Sequence, residues 1–405
     1  MNIQTLKGFR DFLPLEARKR AFVVGKLKKV FEIYGFEPLE TPVLEYEEIL
    51  TGKYGEEGEK LMYRFEDNGG RRVAMRYDQT VPLARVVAQY QGQLPTPFKR
   101  YQFQNVWRAE NTQKGRYREF MQVDLDTVGI DSALADAEAI AAAVAGLQAL
   151  GFEKFNVLIN DRTVFEGLPQ QAIIAIDKLK KIGEDGVCDE LVERGISTSR
   201  EEAYNILQAI TQKEPTQRLK EIFTILEEMG ISKENFSFSP TLARGLDYYT
   251  GLIFEIETPD YPVGSICGGG RYNKLIGMFA KNDIPAVGLA FGFDRTLEAM
   301  EALNLFPKEL EQSLSKVLVT IFNEELKKES LKILKALRDK KIASEIYLGE
   351  TPKLEKQLKY ANAKQIPFIL ILGPEELKEN VVVLKELATG KQEKLPLEQL
   401  LQKLQ

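Results

Sequence analysis

With 405 residues, 44% of them hydrophobic and 28% charged, the chain can build two or three domains with ordinary globular cores. Its formal net charge of −5 argues against sequence-independent clamping along a nucleic-acid duplex, while a local basic groove remains open. Histidine is absent and the two cysteines, Cys188 and Cys267, stand far apart, which excludes a Cys/His zinc site, a Ser-His-Asp triad and a Cys-His pair.

In chain order, the apolar positions Ala21, Val24, Leu27, Val30 and Phe31 predict a helix over Glu16–Tyr34, stopped by Gly35. Phe36–Val43 reads as extended, and Arg72–Tyr77, Phe98–Arg108 and Arg118–Gly129 as strands. Asp131 and Ser132 are candidate caps for an alanine-rich helix that runs to Leu150 and ends at Gly151. From about Asp161 to Pro240 the pattern is almost wholly helical and poor in strand signals. Strands return at Leu252–Glu257 and Gly264–Cys267, then at Ala286–Phe293, which leads into a helix through Ala302. After Pro307, strand runs (Lys316–Phe322, Ala343–Leu348, Phe368–Leu372, Val381–Leu387) alternate with helices (Glu324–Lys340, Lys353–Lys364), as in a small α/β domain with a largely parallel sheet. The N-terminus lacks a signal-peptide core, and no stretch of 18 apolar residues occurs, so a soluble cytoplasmic protein with no membrane partner is expected.

No GxxxxGK[ST] loop is present, so nucleotide phosphates, if bound, are held without a P-loop. The glycines of Gly268–Tyr272 fit a tight turn or a close backbone approach better than a phosphate cradle. Val106–Gly129 carries Arg108, Lys114, Arg116 and Arg118 among acids on two strand-like segments. Alternation puts Arg108 with Glu110 on one face, and Arg118 with Phe120, Gln122, Asp124 and Asp126. A solvated hairpin with cross-strand ion pairs accounts for this pattern as well as a binding face does. In Leu242–Glu257, Arg244 and Asp247 flank a small turn before two tyrosines. In Ala286–Met300, Gly288, Gly292 and Arg295 bracket a strand-to-helix transition.

Taken in order, seven segments resemble the class II aminoacyl-tRNA synthetases, and the histidyl-tRNA synthetase family in particular. They are KGFRDFLP, YGFEPLETPVLE (motif 1), MRYDQTVPLARVVA, RAENTQKGRYREF (motif 2), RGLDYYTGLIFE, GLAFGFDR (motif 3) and PKLEKQLKYANAKQIPFILILG. The resemblance covers nearly the whole chain. It implies an α+β catalytic core, an antiparallel sheet flanked by helices, over residues 1–160 and 241–310. A helical insertion over 161–240 and an α/β anticodon-binding domain over 315–405 are also implied.

The implied reaction joins histidine to the 3′ end of tRNA(His) through a histidyl-adenylate, using ATP and Mg²⁺. By the same resemblance Arg108 holds the α-phosphate, Arg116 the γ-phosphate and Arg295 the far side of the nucleotide. Glu110 and Phe120 meet the adenine, and Arg244 serves as the catalytic cation. Asp78, Thr80 and Gln122 take the substrate ammonium. Asp126, Tyr249 and Tyr272 take the imidazole, with Asp126 standing where many members of the family have glutamate. Gln113 and Lys114 face the tRNA acceptor end, and Lys353 and Lys356 are candidates for anticodon contact. No metal ligand from cysteine or histidine is implied, and a homodimer through motif 1 is. The competing resemblance is to the non-catalytic, synthetase-like regulatory subunit of ATP phosphoribosyltransferase, which usually lacks the full arginine set and the C-terminal domain.

Overall fold

A computed structural model describes residues 3–51, 61–112, 116–243, 248–349 and 353–405. They form two compact units that divide between Leu305 and Phe306.

The N-terminal unit opens with the helix Pro14–Ile33, whose buried Val23, Leu27 and Phe31 repeat every fourth residue along one face. Gly35, at a φ of 75°, turns the chain out of it. Of the Phe36–Val43 stretch expected to be extended, only β1 (Glu37–Pro38) pairs, because Pro38 and Pro42 each lack a ladder donor. β2 (Leu44–Tyr46), β3 (Arg64–Glu66) and β4 (Arg72–Met75) make a small antiparallel sheet in the order β2-β4-β3. The main sheet adds β5 (Phe98–Trp107), β6 (Glu119–Val128), β7 (Asn156–Asp161), β8 (Phe236–Phe238), β9 (Leu252–Glu257), β10 (Cys267–Arg271) and β11 (Ala286–Gly292). Among the described residues it is eight-stranded, in the order β1-β5-β6-β11-β10-β9-β7-β8. Every interior pairing is antiparallel, and only the edge pairs β1/β5 and β7/β8 are parallel.

Because side chains alternate along a strand, each strand divides its residues between two faces. Tyr101 and Phe103 of β5 and Phe291 of β11 turn toward Phe31, with ring centroids 5.9 to 6.1 Å from its ring. The Ala133–Ala149 helix covers the same face; Ser132 caps it, its hydroxyl accepting the Ala135 N–H at 3.1 Å. Its Gly146 lies so near Leu27 and Phe291 that a Cβ would come within 3.0 and 3.2 Å of them. Two helices thus seal one face of the sheet and leave the other for the site.

Two strand expectations are corrected. The Gly264–Cys267 strand is displaced: β10 starts at Cys267 and runs through the glycines. A Cβ on Gly269 would stand 2.1 Å from the Gly288 carbonyl oxygen, and one on Gly270 2.3 Å from that of Leu252. These glycines therefore permit a close backbone approach inside a sheet. The helical stretch also holds β8, which closes the sheet edge against β7.

Four helices, Gln170–Ile176, Leu179–Glu193, Arg200–Thr211 and Gln217–Glu228, fill most of that stretch. Core residues of the first three, among them Ile173, Leu191 and Leu207, cluster with Ala243, Tyr249 and Ile253. Buried Asp136 binds Arg271 of β10 at 2.7 Å and Arg218 of the last helix at 2.7 Å, tying helical segment to sheet.

The C-terminal unit contains β12 (Val317–Val319), β13 (Ser344–Ile346), β14 (Phe368–Ile371), β15 (Val382–Glu386) and β16 (Gln392–Leu395), in the order β13-β12-β14-β15-β16. Its sheet is mixed rather than largely parallel. Only β12 pairs in parallel, with β13 and β14, and a short turn makes β15/β16 an antiparallel hairpin. The Lys327–Asp339 and Leu397–Leu404 helices share a core through Ile333, Leu337, Leu400 and Leu404. Lys353 and Lys356 are exposed, at and within the start of the Leu354–Ala363 helix.

Candidate active site

The uncovered face of the main sheet floors a cavity of about 570 Å³. Asp78, Thr80, Arg108, Glu110, Arg116, Phe120, Gln122, Asp126, Tyr249, Tyr272 and Arg295, gathered from five separate stretches of chain, all line it. Arg244, Gln113 and Lys114 lie outside the described residues.

Strand register explains the gathering. Asp126 faces Arg100 on β5 and Gly288 on β11; Gln122 faces Gln104 and Gly292; on β10, Gly270 continues the Asp126 row and Gly268 the row of Asp124 and Ala290. The floor is therefore polar on the β5/β6 side and nearly free of side chains on the β10/β11 side, where a flat ligand can lie. It is not a solvated hairpin: Arg100, Gln102, Asp124 and Asp126 are all buried.

At the cationic end, Arg108 donates its Nε to the Tyr77 carbonyl at 2.9 Å and lies over the Phe120 ring at 5.1 Å. Glu110 stands 4.0 Å from Arg108 and 3.6 Å from Arg116. Arg295 donates to the Ser265 carbonyl at 2.6 Å. Arg118 departs from its expected face: it precedes β6, its backbone N–H donates to Gly8 and its Nε to the Glu110 carbonyl. It is absent from the cavity lining, its guanidinium being held by the Glu110 carbonyl.

The other end is built around Asp126. Arg100 Nη2 lies 2.7 Å from Asp126 Oδ2, and the Tyr272 hydroxyl donates to Oδ1. Burial raises the Asp126 pKa and Arg100 opposes it; burial and the neighbouring carboxylate hold the Tyr272 phenol well above its ordinary range. Gln102 and Gln104 brace the network, Gln102 donating to Thr41 Oγ1 at 2.9 Å and Arg76 to Gln104 Oε1 at 2.8 Å. Gly288 leaves Asp126 its space, since a Cβ there would stand 1.8 Å from Oδ1. Gly288→Ala is expected to displace that carboxylate and lower stability by about 1–3 kcal/mol through overpacking, measured by chemical unfolding. Unchanged stability would show that the strand yields freely.

Arg100 and Asp124 escaped the sequence reading as site residues, although both belong to polar alternations on neighbouring strands. That regularity was visible in FKRYQFQ and QVDLD, but which strand pairs with which, and hence that the two polar rows meet, was not.

A family model described as histidyl-tRNA synthetase matches residues 8–184 and 188–296. The chain belongs to the histidyl-tRNA synthetase family. A second model, an anticodon binding domain, matches residues 316–405. Histidine--tRNA ligase of Rhodopirellula baltica is 40% identical, over 95% of this chain and 93% of that protein. The one of Cytophaga hutchinsonii is 37% identical over 98% of both. The crystal structure of histidyl-tRNA synthetase from Nostoc sp. PCC 7120 superposes with a TM-score of 0.85 at 28% identity, covering 100% of this chain and 99% of that one. In family terms, the cavity joins the motif 2 and motif 3 arginines to the tyrosine- and aspartate-lined end.

Proposed function

We propose that this chain is an aminoacyl-tRNA ligase that activates histidine with ATP and passes it to the 3′ end of tRNA(His). One observation carries the reading. Three arginines line one end of a single cavity, and a carboxylate tied to a phenol and a guanidinium lines the other.

In the first step a carboxylate oxygen of histidine attacks the α-phosphorus of ATP, a P–O bond forms and pyrophosphate leaves. Such chemistry needs positioned positive charge more than a protein nucleophile. Arg108 neutralises the α-phosphate, Arg116 the γ-phosphate, and Arg295 braces the nucleotide beyond it; the Phe120 ring and Glu110 hold the adenine. Guanidinium groups suit this task because they stay charged and grip phosphate oxygens with two N–H groups. Asp78, Thr80 and Gln122 receive the ammonium, while Asp126, Tyr249 and Tyr272 receive the ring. Arg244 adds a further cation at the α-phosphate. In the second step the terminal ribose hydroxyl attacks the histidyl carbonyl and AMP leaves, with Gln113 and Lys114 toward the acceptor end.

Mg²⁺ takes most of its ligands from phosphate oxygens and water. The cavity fits such a nucleotide-borne ion, because Glu110 already faces two arginines and Asp126 is held by Arg100 and Tyr272. When bound, the ion would offset the charge building on the leaving pyrophosphate.

Residues 161–240 serve as the helical insertion between the two catalytic segments, 1–160 and 241–310. The 315–405 domain reads the anticodon, with Lys353 and Lys356 as candidate contacts. Its match to an anticodon-binding model also favours the ligase over a regulatory subunit of ATP phosphoribosyltransferase. A homodimer through motif 1 is supported by the apolar exposure of Val43, Leu44, Tyr46 and Phe65 around the small sheet. Among the described residues no helix is long and apolar enough to cross a membrane, and we place the chain in the cytoplasm.

ATP–pyrophosphate exchange across all twenty amino acids tests the reading. Exchange is expected with histidine alone, and tRNA charging should follow. Equal exchange with several amino acids, or none with histidine, would overturn it.

A further inference from the structure

Asp124 is a buried acid that the roles above leave unused. It lines the cavity, is only 2% exposed, and its Oδ1 has no hydrogen-bond partner among the described residues. The residue directly opposite on β5 is Gln102, whose amide is committed to Thr41 and Gln104; the one opposite on β11 is Ala290, which has no side-chain donor to offer. Charges reach Asp124 from each surrounding segment: Arg100 on β5, 4.0 Å from Oδ2, Arg108 at the end of that strand, Asp126 on its own strand, and Asp78 before the Thr80–Tyr90 helix. Burial, opposed by Arg100 and reinforced by Asp126 and Asp78, lifts its pKa to about 8.

Along β6, Asp124 stands midway between Gln122 and Asp126, about 7 Å from either at ordinary strand rise. Resting on the reading above, a histidine whose ammonium meets Gln122 and whose ring meets Asp126 must pass over it.

We infer that Asp124 is a further specificity-determining residue of the amino-acid pocket, its unpartnered carboxyl oxygen accepting an N–H of the substrate ammonium. On binding, the carboxyl O–H gives its proton to solvent and the ammonium donates to the resulting carboxylate. No covalent bond to the substrate forms, and a net proton is released. The ammonium relieves the repulsion that Asp78 and Asp126 impose on this carboxylate. An uncharged analogue lacking the amine could not.

Calorimetric titration of the full chain with L-histidine, without ATP, in buffers of different ionisation enthalpy at pH 7.5 measures that proton. About three-quarters of a proton per histidine is expected from a group titrating near pH 8, and D124N should release almost none. The KM for histidine in exchange should fall as pH rises from 7 to 8 and then level off. In D124N this KM should rise at least tenfold and lose the slope, while the KM for ATP stays within about twofold. Proton release near zero in the unmodified chain would overturn the inference whether or not the variant folds. So would an unchanged slope in D124N. Failure of the unmodified chain to exchange with histidine would instead overturn the functional reading on which this one rests.

Discussion

Replacing Arg108 with glutamine is expected to lower kcat/KM for ATP in histidine-dependent exchange by about a thousandfold, within the range seen when a cation facing a transferring phosphoryl group is removed. Glutamine keeps a donor and much of the side-chain bulk, so the loss would report charge rather than collapse. The surrounding contacts predict that the fold survives. Arg108 is partly exposed, and among the described residues its side chain is tied inward by the bond from Nε to the Tyr77 carbonyl. Histidine binding without ATP should therefore change little. Lysine restores the charge but not the two-pronged grip, and should recover only part of the rate. A glutamine variant retaining more than a tenth of the unmodified kcat/KM would remove Arg108 from the α-phosphate.

Arg100→Met should be the most damaging change to stability, costing about 3–5 kcal/mol, because it leaves the buried Asp126 carboxylate without its cation. Arg100 is fully buried against Asp126 at 2.7 Å and Asp124 at 4.0 Å. The sign of the pH dependence follows from the direction of the shifts. Both aspartates have raised pKa values in the folded chain, so above the ordinary carboxylate range the folded state holds more protons than the unfolded one. Their contribution to stability is therefore greatest below about pH 4 and diminishes as pH climbs toward the Asp124 value near 8. Without Arg100 both values rise further, so the deficit should be larger at pH 8.5 than at pH 5.5. Trp107, the only tryptophan, ends β5, and its fluorescence during urea unfolding reports this sheet. A deficit independent of pH would show that Asp126 does not depend on Arg100 for its charge.

Much of this was legible in the residues. Strand-like patterns, alternating in β6 and a plain apolar run in β11, located β5, β6, β9 and β11 to within a residue or two, and the helix ending near Leu150 carried its own serine cap. These signals are local, since a strand's period and a cap's hydrogen bond are decided within a few residues. The motif resemblance went further. All eleven described residues that it assigns to ATP or histidine line one cavity, although no periodicity in those residues would have brought Asp78 into a cavity with Asp126. What local pattern misjudged was pairing. The glycines at 268–270 gave no strand signal because glycine carries no side chain to alternate, yet they lie in β10. The direction of the C-terminal pairings was misread for a related reason: an edge hairpin and a crossover contribute similar short apolar runs.

The amino-acid sequence alone determined most of the segments that become helix or strand, which chemistry the chain can attempt without histidine or zinc, and which family's motifs it carries. Only the tertiary structure decided that Arg100 stands opposite Asp126, that Gly288 vacates the space the Asp126 carboxylate occupies, and that Asp124 is buried beside them with no donor to its Oδ1 among the described residues. The physical reason is register. Cross-strand partners are chosen by how whole faces bury against the helices behind them, a property of the assembled sheet that no single stretch of residues contains.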